Sequence, residues 1–387
     1  MSRPGSADAA GALPADVAEL RAELIAIFQA RDLTVAADAV FDRLAKRAFA
    51  WQFERCAPLR AYWERRGATP ATLAHWSEIP AVPAAAFKEV RLLAGPGPEI
   101  VFRTSGTTRG RERRGEHHVA DLGLYHASLL AGFDTFVRPD GAELALLSIM
   151  PPRAALPDSS LAEMISALLE RRGTPGNSCF ADADGIAHAR LFGRLRRAER
   201  DGEPVAILGT SLAFVELLDR LEEAGAAVRL PAGSRIVDTG GYKGARRTVA
   251  EPALRRAYAE RLGVADDHCI NEYGMTELLS QCYDTALREH VRALAPTPAN
   301  GRRKAGPPWL RSRVVDPETL RPLPRGSTGI LQHVDLANLF SVLAVQTEDL
   351  AVEVEGGFVL HGRGPAATPR GCSIAMDLLL EATRGRP

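Results

Sequence analysis

The chain has 387 residues carrying 48 basic and 48 acidic side chains, so its formal net charge is zero. That balance argues against a protein that coats nucleic acid or an anionic membrane, since both need surplus positive charge. A composition 46% hydrophobic and 25% charged excludes a disordered chain and predicts an ordinary globular core. The first residues lack the apolar run of a signal peptide, and nothing approaches the roughly 18 uninterrupted apolar residues of a membrane span. A cytoplasmic protein is expected. Residues 1 to about 95 read as helical, with Val17, Leu20, Leu24, Ile27 and Phe28 on one stripe of a helix over 16–31. The two prolines in 79–89 (Ile-Pro-Ala-Val-Pro-Ala-Ala-Ala-Phe-Lys-Glu) predict an extended crossing. From about residue 98, strands alternate with helices. A strand at 100–103 leads into a Gly/Thr/Ser loop and a polar arm over 111–118. A helix at 119–137 and an apolar strand at 143–149 come next. The helix at 160–172 has a capping-box start, Ser160 with Glu163, and a stop at Gly173. Strand 205–208, helix 211–224 closed by Gly225, strand 235–238, helix 251–262 and strand 268–271 continue the series. Beyond about 300 only strands are expected, around Val314, 330–333, 342–346, 351–354 and 358–361.

This alternation predicts an α/β fold with largely parallel strands, whose ligands bind beyond the C-terminal strand ends. The expected organisation is a helical region over 1–95, an α/β core over 96–300, and a β-rich subdomain over 301–387. Five cysteines (Cys56, Cys179, Cys269, Cys282 and Cys372) are scattered without a CxxC pair, which argues against a disulfide framework and the usual zinc spacings. Only four lysines are present: Lys46, Lys88, Lys243 and Lys304.

Two segments carry chemistry. The stretch 101–110, Val-Phe-Arg-Thr-Ser-Gly-Thr-Thr-Arg-Gly, gathers three threonines, a serine and glycines after a strand. Hydroxyls and close-approaching backbone N–H groups suit an oxyanion such as phosphate, although the same residues also make ordinary polar hairpins. The stretch 271–277, Asn-Glu-Tyr-Gly-Met-Thr-Glu, offers an aromatic face, a hydroxyl and a carboxylate. It reads equally well as a strand end followed by a capped helix start.

Thr-Ser-Gly-Thr-Thr resembles the phosphate loop of acyl-adenylate-forming enzymes, and Tyr-Gly-Met-Thr-Glu resembles a second motif of that superfamily. The resemblance implies ATP or AMP binding by Thr104, Ser105, Gly106, Thr107, Thr108, Gly240, Gly241, Tyr273, Gly274 and Thr276. It places Tyr273 on adenine, Thr276 at the α-phosphate and Glu277 on Mg²⁺. Thr347-Glu-Asp349 and Gly362-Arg363 resemble the elements that contact the ribose, which implies Asp349 and Arg363 in that role. Many members carry Gly-Lys after the phosphate loop; here Arg109, Gly110 and Arg111 follow.

Only 24 residues follow Arg363, none of them lysine, so the lysine-bearing C-terminal domain common in the superfamily is expected to be absent. The tail instead contains Arg370-Gly-Cys-Ser373. Together with the Pro-x-x-Pro-x-x-x-Phe-Lys-Glu stretch at 79–89, Thr239-Gly-Gly-Tyr-Lys-Gly244, Pro307-Pro-Trp309, Asp316-Pro-Glu-Thr319 and Asp335-Leu-Ala-Asn338, it resembles the LuxE-like acyl-protein synthetases. The resemblance implies the large N-terminal α/β domain of the adenylate-forming fold and a two-step reaction. ATP and Mg²⁺ activate a carboxylic acid, a fatty acid in the best-known cases, and the acyl group passes to a cysteine, here Cys372. An acyl reductase or acyl-carrying protein is the implied partner. Arg370, two residues before Cys372, has the sign that favours thiolate. Lys243 sits where it can reach acyl or phosphate oxygens or lie on the surface beside a glycine turn. His117, His118, His268 and His333 lack metal-ligand spacing. A CoA ligase of the phenylacetate type and a non-catalytic reductase-binding subunit are the rival readings.

Overall fold

The computed structural model describes residues 13–31, 33–104, 113–240, 249–294, 302–363 and 375–380. Helices α1 (Ala15–Ala30), α2 (Asp38–Arg55) and α3 (Ala57–Arg65) open it, and α1 buries the predicted stripe of Val17, Leu20, Leu24, Ile27 and Phe28. The proline-rich stretch is extended at Ile79 and pairs as strand β1 (Val82–Pro83), after which Ala84–Lys88 turns in a 3-10 helix.

Strands β2 (Ile100–Arg103) and β3 (Glu116–Val119) form an antiparallel hairpin. The expected polar arm therefore ends in a strand, and the next helix, α4 (Leu122–Phe136), starts three residues later than its sequence pattern predicts. Asp121 sets that start, because its carboxylate accepts the Leu124 N–H at 3.1 Å. After β4 (Ala145–Ser148) comes α5 (Ser160–Arg171), capped by Ser159, which accepts the Ala162 N–H at 3.2 Å. The capping box expected from Ser160 and Glu163 does not form. Glu163 turns inward to His126 at 2.8 Å and Arg153 at 2.6 Å, since a buried carboxylate is better served by two side-chain donors, one of them a guanidinium, than by a helix-end amide.

Next are β5 (Ser178–Cys179), the hairpin of β6 (Ala181–Asp182) and β7 (Gly185–Ile186), α6 (His188–Asp201), β8 (Val205–Thr210), α7 (Ser211–Glu223), β9 (Arg235–Thr239) and α8 (Glu251–Leu262). Then follow β10 (Cys269–Tyr273), β11 (Cys282–Asp284), α9 (Ala286–Val291), β12 (Lys304–Ala305), β13 (Leu310–Val315), β14 (Thr328–Asp335), β15 (Ala344–Val354) and β16 (Gly357–Arg363).

Among the described residues one large sheet runs β13-β14-β15-β16-β12-β11-β10-β9-β8-β4-β5, with β1 laid parallel to β15. Strands β5, β4, β8, β9 and β10 are parallel. The neighbours from β10 through β13 pair antiparallel, so strands on both sides of residue 300 share one sheet. Alternation along β8 sends Ala206 and Leu208 into the apolar cluster shared with α1 to α5, and Val205 and Ile207 into the one shared with α6 to α8. Burial on both faces is what makes the parallel strands continuously apolar. Among the described residues no helix is long and apolar enough to cross a membrane.

Candidate active site

Strands β9 and β10 end side by side, Thr239 opposite Glu272. Gly240 follows with φ +74°, a conformation that glycine adopts without steric cost, and its carbonyl accepts the Ser211 hydroxyl at 3.1 Å. Tyr273, the last residue of β10, donates its hydroxyl to Asp349 at 2.8 Å. Asp349 is set in place by Thr347, whose hydroxyl oxygen accepts the Asp349 N–H at 3.0 Å and donates to the Leu331 carbonyl. Arg363 pairs with Asp349 across β15 and β16, its guanidinium 3.7 Å from the carboxylate. The Arg363 side chain is 56% exposed and also lies 3.9 Å from Glu348, so these contacts stabilise little. Tyr273, Asp349 and Arg363 thus meet. The tyrosine ring is flanked by His333 and Phe358, each 5.8 Å away centre to centre. Burial pushes His333 down to about 3, so it is a neutral wall of this corner.

Gly274 cannot be replaced without a shift, because an added Cβ would collide with a Glu272 carboxylate oxygen. Thr276 and Glu277 lie in the turn beyond it. No helix starts there: the chain turns directly into β11. Glu277 is buried, 7% exposed, and its carbonyl accepts Asn338 Nδ2 at 2.9 Å. Two residues on, Leu279 N–H and Ser280 N–H both donate to Asp335, at 3.1 and 2.8 Å. The Ser280 hydroxyl joins Asp335 at 2.7 Å and Ser128 at 2.8 Å, and Ser128 in turn accepts the Trp309 indole N–H. Asp335, Asn338 and Trp309 belong to the Asp-Leu-Ala-Asn and Pro-Pro-Trp motifs, so these motifs anchor the 276–280 turn. Their place in the sequence pattern was visible; their task was not.

Thr104 closes the neck of the β2–β3 hairpin, its hydroxyl oxygen accepting the Gly115 N–H at 2.9 Å. Arg114 binds the Thr104 carbonyl at 2.6 Å and Asp158 at 2.7 Å, which ties the neck to the segment before α5. Ser105, Gly106, Thr107, Thr108, Gly241, Lys243 and Cys372 lie outside the described residues. Among the described residues no group of three or more His, Cys, Asp or Glu side chains could hold a metal ion.

Glu272 is a strongly perturbed acid of this corner. Burial pushes it from 4.5 to about 7, opposed by the Thr239 hydroxyl it accepts and by Lys304, and helped by Asp238. The folded chain therefore holds a proton between those values that the unfolded chain has released, and stability falls as pH rises through that window. Glu272→Gln removes this dependence. Wild type should lose melting temperature relative to Glu272→Gln between about pH 4.5 and about pH 7. A constant difference across that range would show that the carboxyl is not held protonated.

The fold is that of the acyl-adenylate-forming ligases. The 2-hydroxyisobutyryl-CoA ligase, solved in an open conformation with 2-HIB-AMP and CoA, superposes with a TM-score of 0.58 at 16% identity, covering 84% of this chain and 70% of that one. Its thioesterification-state structure also gives 0.58, at 17% identity over 91% and 69%. The family model described as "Acyl-protein synthetase, LuxE" matches residues 17–378, and the chain belongs to that family. Relatives include the long-chain-fatty-acid–luciferin-component ligases of Vibrio harveyi, 22% identical over 87% of this chain and 86% of that protein, and of Aliivibrio fischeri, 22% identical over 81% and 79%. Membership makes the chain an ATP-dependent ligase.

Proposed function

We propose that this corner binds ATP and a carboxylic acid, makes the acyl-adenylate, and passes the acyl group to the Cys372 thiol. The meeting of Tyr273, Asp349 and Arg363 from three separated segments, beside the turn bearing Thr276 and Glu277, is the observation that carries the reading.

A carboxylate is a poor electrophile, because a nucleophile adds negative charge to a group already negative. In the first step a carboxylate oxygen attacks the α-phosphorus of ATP, the new O–P bond forms, and pyrophosphate leaves with the old one. Tyr273 contributes an aromatic face for the base, Asp349 accepts from ribose hydroxyls, and Arg363 and Thr276 meet phosphate or ribose oxygens. Mg²⁺ commonly binds through one or two carboxylates plus phosphate oxygens and water. A single buried carboxylate at Glu277 fits that donor set, and the ion would offset charge on the phosphates. In the second step a thiolate attacks the acyl carbon, the C–S bond forms, the C–O bond to phosphate breaks and AMP departs. The thiol proton goes to solvent or a nearby base, and Lys243 is a candidate to steady the oxygens.

The two relatives carry long-chain fatty acid in their names, so a fatty acid is the first substrate to try. An acyl reductase or acyl-carrying protein would take the product. The test is acid-dependent pyrophosphate exchange over fatty, aromatic and short acids, with and without CoA. Exchange with an acid, and covalent acyl-protein without CoA, is expected. Turnover that needs CoA would make the protein a CoA ligase, and no exchange with any acid would make it a non-catalytic subunit.

A further inference from the structure

The residue His117 lies on β3, opposite Phe102, in the hairpin whose neck is Thr104 and Gly115. Its ring is fully buried and reaches 159 residues along the chain, where Nδ1 lies 2.7 Å from the Thr276 carbonyl. Nε2 lies 2.8 Å from the Ser341 hydroxyl, and Phe87 packs edge-on against the ring at 5.5 Å.

We infer that His117 is a positioning residue, holding the hairpin of the Thr-Ser-Gly-Thr-Thr segment at a fixed distance from the turn that carries Thr276 and Glu277. The inference rests on the adenylation reading above.

A carbonyl only accepts, so Nδ1 must carry the proton, and Nε2 must then accept from Ser341. The tautomer is thereby fixed. Burial, together with repulsion from His118, pushes the ring down to about 4 against the pull of the Thr276 carbonyl, so the imidazole is neutral at working pH. A neutral donor of fixed geometry suits a strut. The Asn338 amide and the Asp335 carboxylate hold the same turn, and the His117 ring adds a side-chain bond that joins turn to hairpin. Two phosphate-contacting segments must sit correctly relative to one another, and misplacement by about 1 Å costs on the order of a hundredfold in rate.

The test uses amide substitutions that place a donor at one ring nitrogen or the other. Asparagine reaches about as far as Nδ1, and glutamine about as far as Nε2. In pyrophosphate exchange with the acid accepted by wild type, His117→Asn should keep activity within about threefold. His117→Gln should lose about tenfold or more, through kcat and the KM for ATP together, at a similar melting temperature. Histidine nitrogen NMR of the wild type should show Nδ1 protonated and Nε2 bare, the tautomer that the Thr276 carbonyl requires. If His117→Asn and His117→Gln are equally active, or the ring carries its proton on Nε2, His117 is packing and no more. Absence of exchange in wild type would instead overturn the adenylation reading itself.

Discussion

Glu277→Gln is expected to lose pyrophosphate exchange by on the order of 10²–10³, the loss typical when a group that offsets transition-state charge is removed. The glutamine keeps the shape of the side chain and removes only its charge. The turn should survive the change, because its anchors act on the backbone: Asn338 holds the Glu277 carbonyl, and Asp335 holds the next two amides but one. The melting temperature should therefore move little, while the Mg²⁺ concentration needed for half-maximal exchange rises. Glu277→Ala should be at least as inactive, with some added loss of stability from emptying a buried position. Exchange retained within about threefold in Glu277→Gln would remove this carboxylate from the first step.

The local part of the fold could be read from sequence because it is encoded locally. The α1 stripe recurs at helical spacing, Gly225 and Gly263 end α7 and α8 in left-handed conformations, and the buried parallel strands are short apolar runs. Errors arose where a neighbour in space competes with a neighbour in sequence. Glu163 left its capping position for His126 and Arg153, and β3 formed because β2 was there to pair with it. The site divides in the same way. Tyr273, Thr276, Glu277 and Asp349 became candidates through the order of short motifs. Nothing in that order told that Tyr273 donates to Asp349, or that Asp335 and Trp309 reach the same turn through Ser280 and Ser128. Such bonds join residues 55 to 181 positions apart, and no periodicity records them. His117 is the sharpest case. Sequence offers it as one of a histidine pair without metal spacing, and only the fold gives it the Thr276 carbonyl.

Cys372→Ser is expected to leave adenylate formation within about threefold of wild type and to abolish covalent retention of a labelled acid after denaturation. The attacking species is thiolate, so a competitor must be able both to ionise and to reach the adenylate. Cys56, Cys269 and Cys282 are buried, and burial pushes each of their thiols upward. Backbone bonds from Leu59 and Leu93, and then Arg60, pull Cys56 only partly back, and the acidic neighbours Asp238 and Glu272 push Cys269 and Cys282 further up. Cys179 is half-buried, with its sulfur set against the carbonyls of Met150 and Ala181 at 3.3 and 3.2 Å. Serine at 372 cannot substitute, since its hydroxyl ionises far less readily than a thiol. Any residual label should resist neutral hydroxylamine, which cleaves thioesters much faster than oxygen esters. Cys179→Ser should retain full labelling. If Cys372→Ser is labelled as strongly as wild type and the label is hydroxylamine-sensitive, another thiol is the acceptor. The first step would stand, and the second would have to be assigned elsewhere.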